Sequence, residues 1–207
     1  MEIEFKYLLP DGMKKENIFE SDDIRSRKIE GSDLVLKMAA FYFDTKDMAL
    51  SKAGLAFRVR RENDDIICTV KYGGGAENGL HSREEENFNV DEAFLQRPTL
   101  AILKSLDVYE EYRKAVGRKK LYPYVTMEYE RTQCDVKCGE SVSCISYDEG
   151  EISANGKKCP INELEIELHE GNTEDLFEFG KKLAGKFELL PLNASKLKRG
   201  IDLFNEK

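Results

Sequence analysis

The chain has 207 residues, of which 41% are apolar and 35% charged, so it is long enough for one large domain or two small ones and more charged than the globular average. A formal net charge of −8 argues against a generic nucleic-acid binder, and five cysteines, an odd number, argue against a disulfide-stapled scaffold. No apolar run approaches the ~18 residues of a membrane helix, and acids stand where a signal peptide needs basic and then apolar residues, so a cytoplasmic protein with no membrane partner is expected.

The opening residues Met1 to Lys6 alternate strictly, which on a strand sends Glu2, Glu4 and Lys6 to one face and Ile3 and Phe5 to the other. Pro10 to Gly12 ends this run, and residues 14–29 are polar enough to read as an exposed helix or loop. Residues 33–43 read as a strand, followed by a short helix capped within Asp44 to Asp47 and closed by Gly54. Residues 55–61 and 66–72 form two strands joined by a turn at Asn63 to Asp65, with Arg58 and Arg60 on one face of the first and Thr69 and Lys71 on one face of the second.

Gly73 to Gly79 reads as a flexible hairpin connection, since no Gly-Lys-Ser/Thr follows to make a phosphate-binding loop. Residues 82–90, which include Arg83, form a charged strand, and about 91–117 carry helical patterning broken at Pro98. This helical insert is too short to fold as an independent domain, so residues 1–207 are expected to make a single domain. Strands resume at 121–137, with Arg131, and at 142–148, with a turn expected at Glu149 to Glu151. Residues 161–168 repeat the opening pattern: Glu163, Glu165 and Glu167 share one face, and Leu164, Ile166 and Leu168 the other. An amphipathic helix begins near Thr173, and a last short helix follows Ser195 and Lys196. Cys134 and Cys138 lack a zinc-like spacing, and His81 and His169 read as ordinary surface or loop residues.

About eight antiparallel strands can close into a barrel, which removes exposed sheet edges. With the apolar faces turned out against helices, the acids and bases line the interior, and such an interior must be a wet, ligand-filled tunnel because unpaired buried charge is very costly. Clustered carboxylates require protons or cations between them, and oxygen-only ligation favours Mg²⁺ or Mn²⁺. Arginine forks match phosphate oxygens in a bidentate way. The pattern therefore describes a site for a chain of phosphates.

Glu2-x-Glu4-x-Lys6 resembles the ExExK signature of the CYTH superfamily, the triphosphate tunnel metalloenzymes. Companions stand in the family's order: Tyr42 to Thr45, Phe57 to Arg60, Thr69 to Lys71, Tyr147 to Gly150, Glu163 to Leu168, Ser195 with Lys196, and Arg199 with Gly200. The resemblance implies an α+β fold, an eight-stranded antiparallel β-barrel with helices packed outside. It implies metal held by Glu2 and Glu4 together with Asp148 and acids among Glu163, Glu165 and Glu167, the register leaving open which two of the three ligate. It implies phosphates held by Lys6, Arg58, Arg60, Lys71, Arg83, Arg131 and Lys196.

The expected activity is metal-dependent hydrolysis of a triphosphate, inorganic tripolyphosphate first because the chain has no tryptophan and no evident base pocket. Glu4 and Lys6 carry the catalytic assignment. Lys6 acts through its charge, because surrounding carboxylates push a lysine pKa away from general-acid range. The alternatives are an adenylyl cyclase of class IV, a thiamine triphosphatase, and a non-catalytic polyphosphate or nucleotide binder. The expected partner is a triphosphate-containing small molecule, with no nucleic acid, and the chain a monomer or homodimer.

Overall fold

The computed structural model describes residues 1–206. Eight strands, β1 (Glu2–Leu8), β2 (Leu34–Asp44), β3 (Ala56–Glu62), β4 (Asp65–Glu77), β5 (Leu80–Val90), β6 (Tyr122–Cys138), β7 (Ser141–Ala154) and β8 (Lys157–Glu170), form one antiparallel sheet in the order β5-β4-β3-β2-β6-β7-β8-β1. β1 closes it into a barrel: Glu2 to Phe5 pair with β5, while Glu4 to Leu8 pair with β8. A two-residue strand, β9 (Leu190–Pro191), adds to the end of β1.

The outward face of each strand is apolar where a helix covers it. Phe5 and Tyr7 of β1, Ile145 of β7, and Leu164 and Ile166 of β8 meet Leu176, Phe179 and Leu183 of α6 (Thr173–Phe187). Each such side chain contributes roughly 1.5–3 kcal/mol when fully buried. The same core takes Ile18 of α1 (Lys15–Phe19) and Ile24 of α2 (Asp22–Arg25), both fully buried, so the segment read as exposed is anchored by its two isoleucines.

On the other side, Phe57, Val59, Cys68 and Val70 of β3 and β4 are covered by α3 (Ala49–Lys52) and by the segment containing α4 (Glu92–Gln96), a 3-10 turn (Leu100–Leu103) and α5 (Tyr109–Val116). Tyr112 ties that segment down, its hydroxyl reaching the carbonyls of Ala56 and Lys71 at 2.8 and 3.0 Å. Asp44 organises α3 as expected, accepting from the N–H groups of Leu50 and Ser51 at 2.8 and 2.9 Å.

Two expected turns lie inside strands. β4 runs on to Glu77, and the hairpin turns at Asn78 and Gly79, where both residues have positive φ (50° and 80°). That is the backbone a tight two-residue hairpin requires. β7 passes straight through Glu149 to Glu151 and turns only at Asn155 and Gly156.

The interior is charged along only part of its length. At one end the inward residues are apolar (Met127 and Ile152 among them), and α7 (Lys196–Asn205) packs onto them through Leu203. Gly200 permits the approach, since a Cβ there would stand 2.4 Å from Val125 Cγ1. Among the described residues, no helix is long and apolar enough to cross a membrane.

Candidate active site

The remaining part of the interior is a cavity of about 210 Å³ walled mostly by charged side chains. Strict alternation puts them there: β1 supplies Glu2, Glu4 and Lys6, β3 supplies Arg58 and Arg60, β4 Lys71, β5 Arg83 and Glu85, β6 Arg131, and β8 Glu165 and Glu167. Lys196 comes in from the first residue of α7. Asp148 and Glu163, both fully buried, lie directly across from each other on β7 and β8 and reach the site through Lys196. Every predicted site residue is thus brought to one place.

Most of the acids are held by bases of the same wall. Glu165 accepts from Lys6, from Lys196 at 2.7 Å and from Arg131 at 2.6 Å. Burial alone would raise its pKa, but Lys196, Lys6 and Arg131 outweigh burial and hold it well below the usual carboxylate range. Arg131 grips Asp148 in a bidentate fork, 2.7 Å on each arm, and Lys196 approaches the same carboxylate at 2.8 Å. Against burial, these cations keep Asp148 ionised. Glu163 takes Lys196 at 2.8 Å and Arg199. Glu2 lies 3.1 Å from Lys71 and 2.9 Å from Arg83, and Glu4 lies 2.8 Å from Lys6 and 3.4 Å from Arg83.

Two places escape this neutralisation. Glu167 sits opposite Glu4 in the β1–β8 register and has no ion-pair partner among the described residues. Burial, and then the charges of Glu4, Glu2 and Glu165, push its carboxyl up to about 7. On the β3 wall, Arg58 and Arg60 stand two residues apart; Arg58 lies 3.9 Å from Glu85, and among the described residues Arg60 pairs only with Glu62 at the rim. Burial and then the charge of Arg58 lower the pKa of Arg60, the signature of uncompensated positive charge. Both guanidinium groups have a buried Nε with no hydrogen-bond partner. The cavity is therefore polarised, with an unpartnered carboxyl at Glu167, beside Glu4, on one wall and a thinly compensated guanidinium at Arg60, beside Arg58, on the other.

A CYTH domain profile matches residues 1–201. The chain belongs to the CYTH domain family. This CYTH domain is also 34% identical, over 77% of its length, to the inorganic triphosphatase of Haemophilus influenzae, and it spans 44% of that relative's length. Among solved structures, it is similar to a Hippeastrum protein described as a candidate adenylyl cyclase with a dominant triphosphatase activity, at TM-score 0.66 and 16% identity, covering 98% of this chain and 96% of the other. A candidate adenylate cyclase of Bacillus halodurans aligns at TM-score 0.61 and 19% identity over 96% of both chains. At these identities the two structures speak for the fold alone.

The CYTH tunnel also holds residues that sequence reasoning left out. Glu85 accepts from Lys71 and from Asn87, the latter at 2.9 Å, and Asn87 in turn takes the hydroxyl of Thr69 at 2.7 Å. Thr69 receives Arg58 at 3.0 Å, so Lys71 and Arg58 are positioned by one connected network. Counting by twos from Arg83 along the strand would have found Glu85 and Asn87. Tyr42 lies among the same bases: burial pushes its phenol up, but Arg58, Lys71 and Arg83 outweigh burial and bring it down. His81, read as a surface or loop residue, is instead buried in the barrel wall.

Proposed function

We propose that this CYTH domain hydrolyses the terminal phosphoanhydride of a triphosphate, with inorganic tripolyphosphate as the preferred substrate. One observation carries the reading: the separation of surplus charge across the cavity, Glu167 beside Glu4 on one wall and Arg60 beside Arg58 on the other. A chain of phosphates with a divalent cation is the ligand that answers both surpluses at once. The lining is mostly charged, with only Tyr42, Tyr129 and Leu197 to offer ring or apolar surface among the described residues, which favours an inorganic substrate over one carrying a base or a thiazolium ring. The similarity to an inorganic triphosphatase points the same way.

Metal dependence is typical of the family. The residues present fit a hard divalent cation, because Glu167 is an unpartnered carboxylate beside Glu4, with Glu2 and Glu165 adjoining and only oxygen donors offered. Among the described residues no ready-made cage of three or more such ligands converges, since the acids are turned toward bases. Register supports Glu167 first among the three β8 glutamates, since Glu167 is opposite Glu4, Glu165 opposite Lys6, and Glu163 opposite Leu8. We therefore assign Mg²⁺ or Mn²⁺ to Glu2, Glu4, Glu165 and Glu167, with Asp148 and Glu163 holding Lys196 and Arg131 in place. When bound, the metal would neutralise phosphate charge and acidify an attacking water.

The chain's own groups do the rest. Arg58, Arg60, Lys71 and Arg83 bind and orient the phosphates as bidentate forks and a point charge. Lys6 and Lys196 exchange carboxylate partners for phosphate oxygens and stabilise charge on the transferred group. Burial disfavours the charge of Lys6, but Glu165 and Glu4 outweigh burial and keep it an ammonium, so it serves as an electrostatic group and not as a proton donor.

Colorimetric phosphate release from tripolyphosphate, ATP and thiamine triphosphate with Mg²⁺ or Mn²⁺ tests the reading. Release that is fastest from tripolyphosphate supports it. Cyclic AMP and pyrophosphate from ATP without orthophosphate would replace it with a cyclase.

A further inference from the structure

His81 does not line the charged cavity, yet it is only 5% exposed and lies across from Glu4 in the β1–β5 register. Its Nε2 is 2.8 Å from the carbonyl oxygen of Leu192. A carbonyl can only accept, so the ring carries its proton on Nε2 and donates. Leu192 belongs to the short connection between β9 and α7, and that connection is fastened at two more points. The N–H of Leu192 donates to the carbonyl of Lys6 at 2.9 Å, and Asn193 Oδ1 accepts the N–H of Gly79 at 2.7 Å. Gly79, at the tip of the β4–β5 hairpin, is itself tied to β1, its carbonyl accepting the N–H of Lys6 at 2.8 Å.

This latch ends where α7 begins. Ser195 caps the helix, its hydroxyl accepting from the N–H of Lys198 at 3.2 Å. The next residue, Lys196, places its ammonium 2.8 Å from Asp148, 2.8 Å from Glu163 and 2.7 Å from Glu165. An ammonium meeting three buried carboxylates depends on where its backbone stands, and that backbone is set four residues earlier at Leu192.

We propose that His81 is a positioning residue: by holding the carbonyl of Leu192 it fixes the start of α7, and with it the place of Lys196 in the tunnel. The imidazole is not part of the cavity lining and acts through the connection. Its catalytic consequence rests on the reading that Lys196 meets a triphosphate. Misplacing a binding group by an ångström can cost roughly a hundredfold, so a loosened latch is felt at the substrate.

The test compares His81→Leu, which fills the space without a donor, with His81→Gln, which keeps an N–H, and with Lys196→Ala. Hydrogen exchange of amides 190–199 in the substrate-free protein should quicken about tenfold in His81→Leu, with β7 and β8 unchanged, and return toward wild type in His81→Gln. KM for tripolyphosphate with Mg²⁺ should rise about tenfold in His81→Leu, and His81→Leu combined with Lys196→Ala should be no worse than Lys196→Ala alone. Unchanged exchange in His81→Leu, or a loss that adds in full to that of Lys196→Ala, would overturn the proposal. A wild type inert toward tripolyphosphate would remove the functional reading, while the exchange comparison would still decide the latch.

Discussion

Glu4 and Glu167 face each other across the antiparallel β1–β8 pair, and among the described residues only Glu4 of the two has a cation against it. Like charges directly opposite one another destabilise a sheet. Their persistence in a buried wall points to a cation supplied from outside the chain.

Glu167→Gln should therefore separate stability from function. Without metal, its melting temperature should equal or exceed that of wild type, because the substitution removes repulsion with Glu4, Glu2 and Glu165. Metal-dependent turnover should fall by at least about 100-fold, given that even outer-shell partners of a metal cost roughly 10–100-fold. Calorimetric titration with Mn²⁺ and steady-state kinetics on one preparation would measure both.

On the opposite wall, Arg60→Ala should mainly raise KM. Hydrogen bonds to charged groups contribute about 1.5–3 kcal/mol, which corresponds to roughly a 10–100-fold rise. Arg58→Ala should do more harm, because Arg58 also belongs to the network through Thr69, Asn87 and Glu85 that positions Lys71. A fall in kcat at unaltered KM for Arg60→Ala would instead place its action in the transition state.

Much of this wall was legible because its strands alternate cleanly. Glu2, Glu4 and Lys6, Arg58 and Arg60, and the three glutamates of β8 each declare a face by parity alone. Glu85 does not, since Glu84, Glu85 and Glu86 are consecutive acids and carry no parity of their own. Glu149 to Glu151 looks like a turn by composition, but pairing on both sides carries β7 through it. His81 was hidden for another reason: its partner is a backbone carbonyl more than a hundred residues away, which no local pattern encodes.

Away from the tunnel, Asp23 on α2 accepts from Lys182 and Lys186 of α6, each at 2.6 Å. These lysines bring its pKa down to about 2. A folded-state value below the unfolded one, near 3.9, means the contribution is present above about pH 4 and is lost as pH falls through about 2. Asp23→Asn should lower the melting temperature by about 2–4 °C at pH 7, and the gap to wild type should close near pH 2.

Chelation should stop turnover without unfolding the chain. The buried acids Glu165, Asp148 and Glu163 already have cationic partners, so the barrel does not need metal to stand. Circular dichroism with EDTA should match the metal-bound spectrum, and added Mg²⁺ or Mn²⁺ should restore activity.

The most direct measurement is orthophosphate release from tripolyphosphate by wild type and Glu4→Gln, with Mg²⁺ or Mn²⁺ and matched melting curves. Wild-type turnover that disappears in a folded Glu4→Gln is the predicted result. Equal turnover by the two proteins would contradict a metal-dependent site in the tunnel.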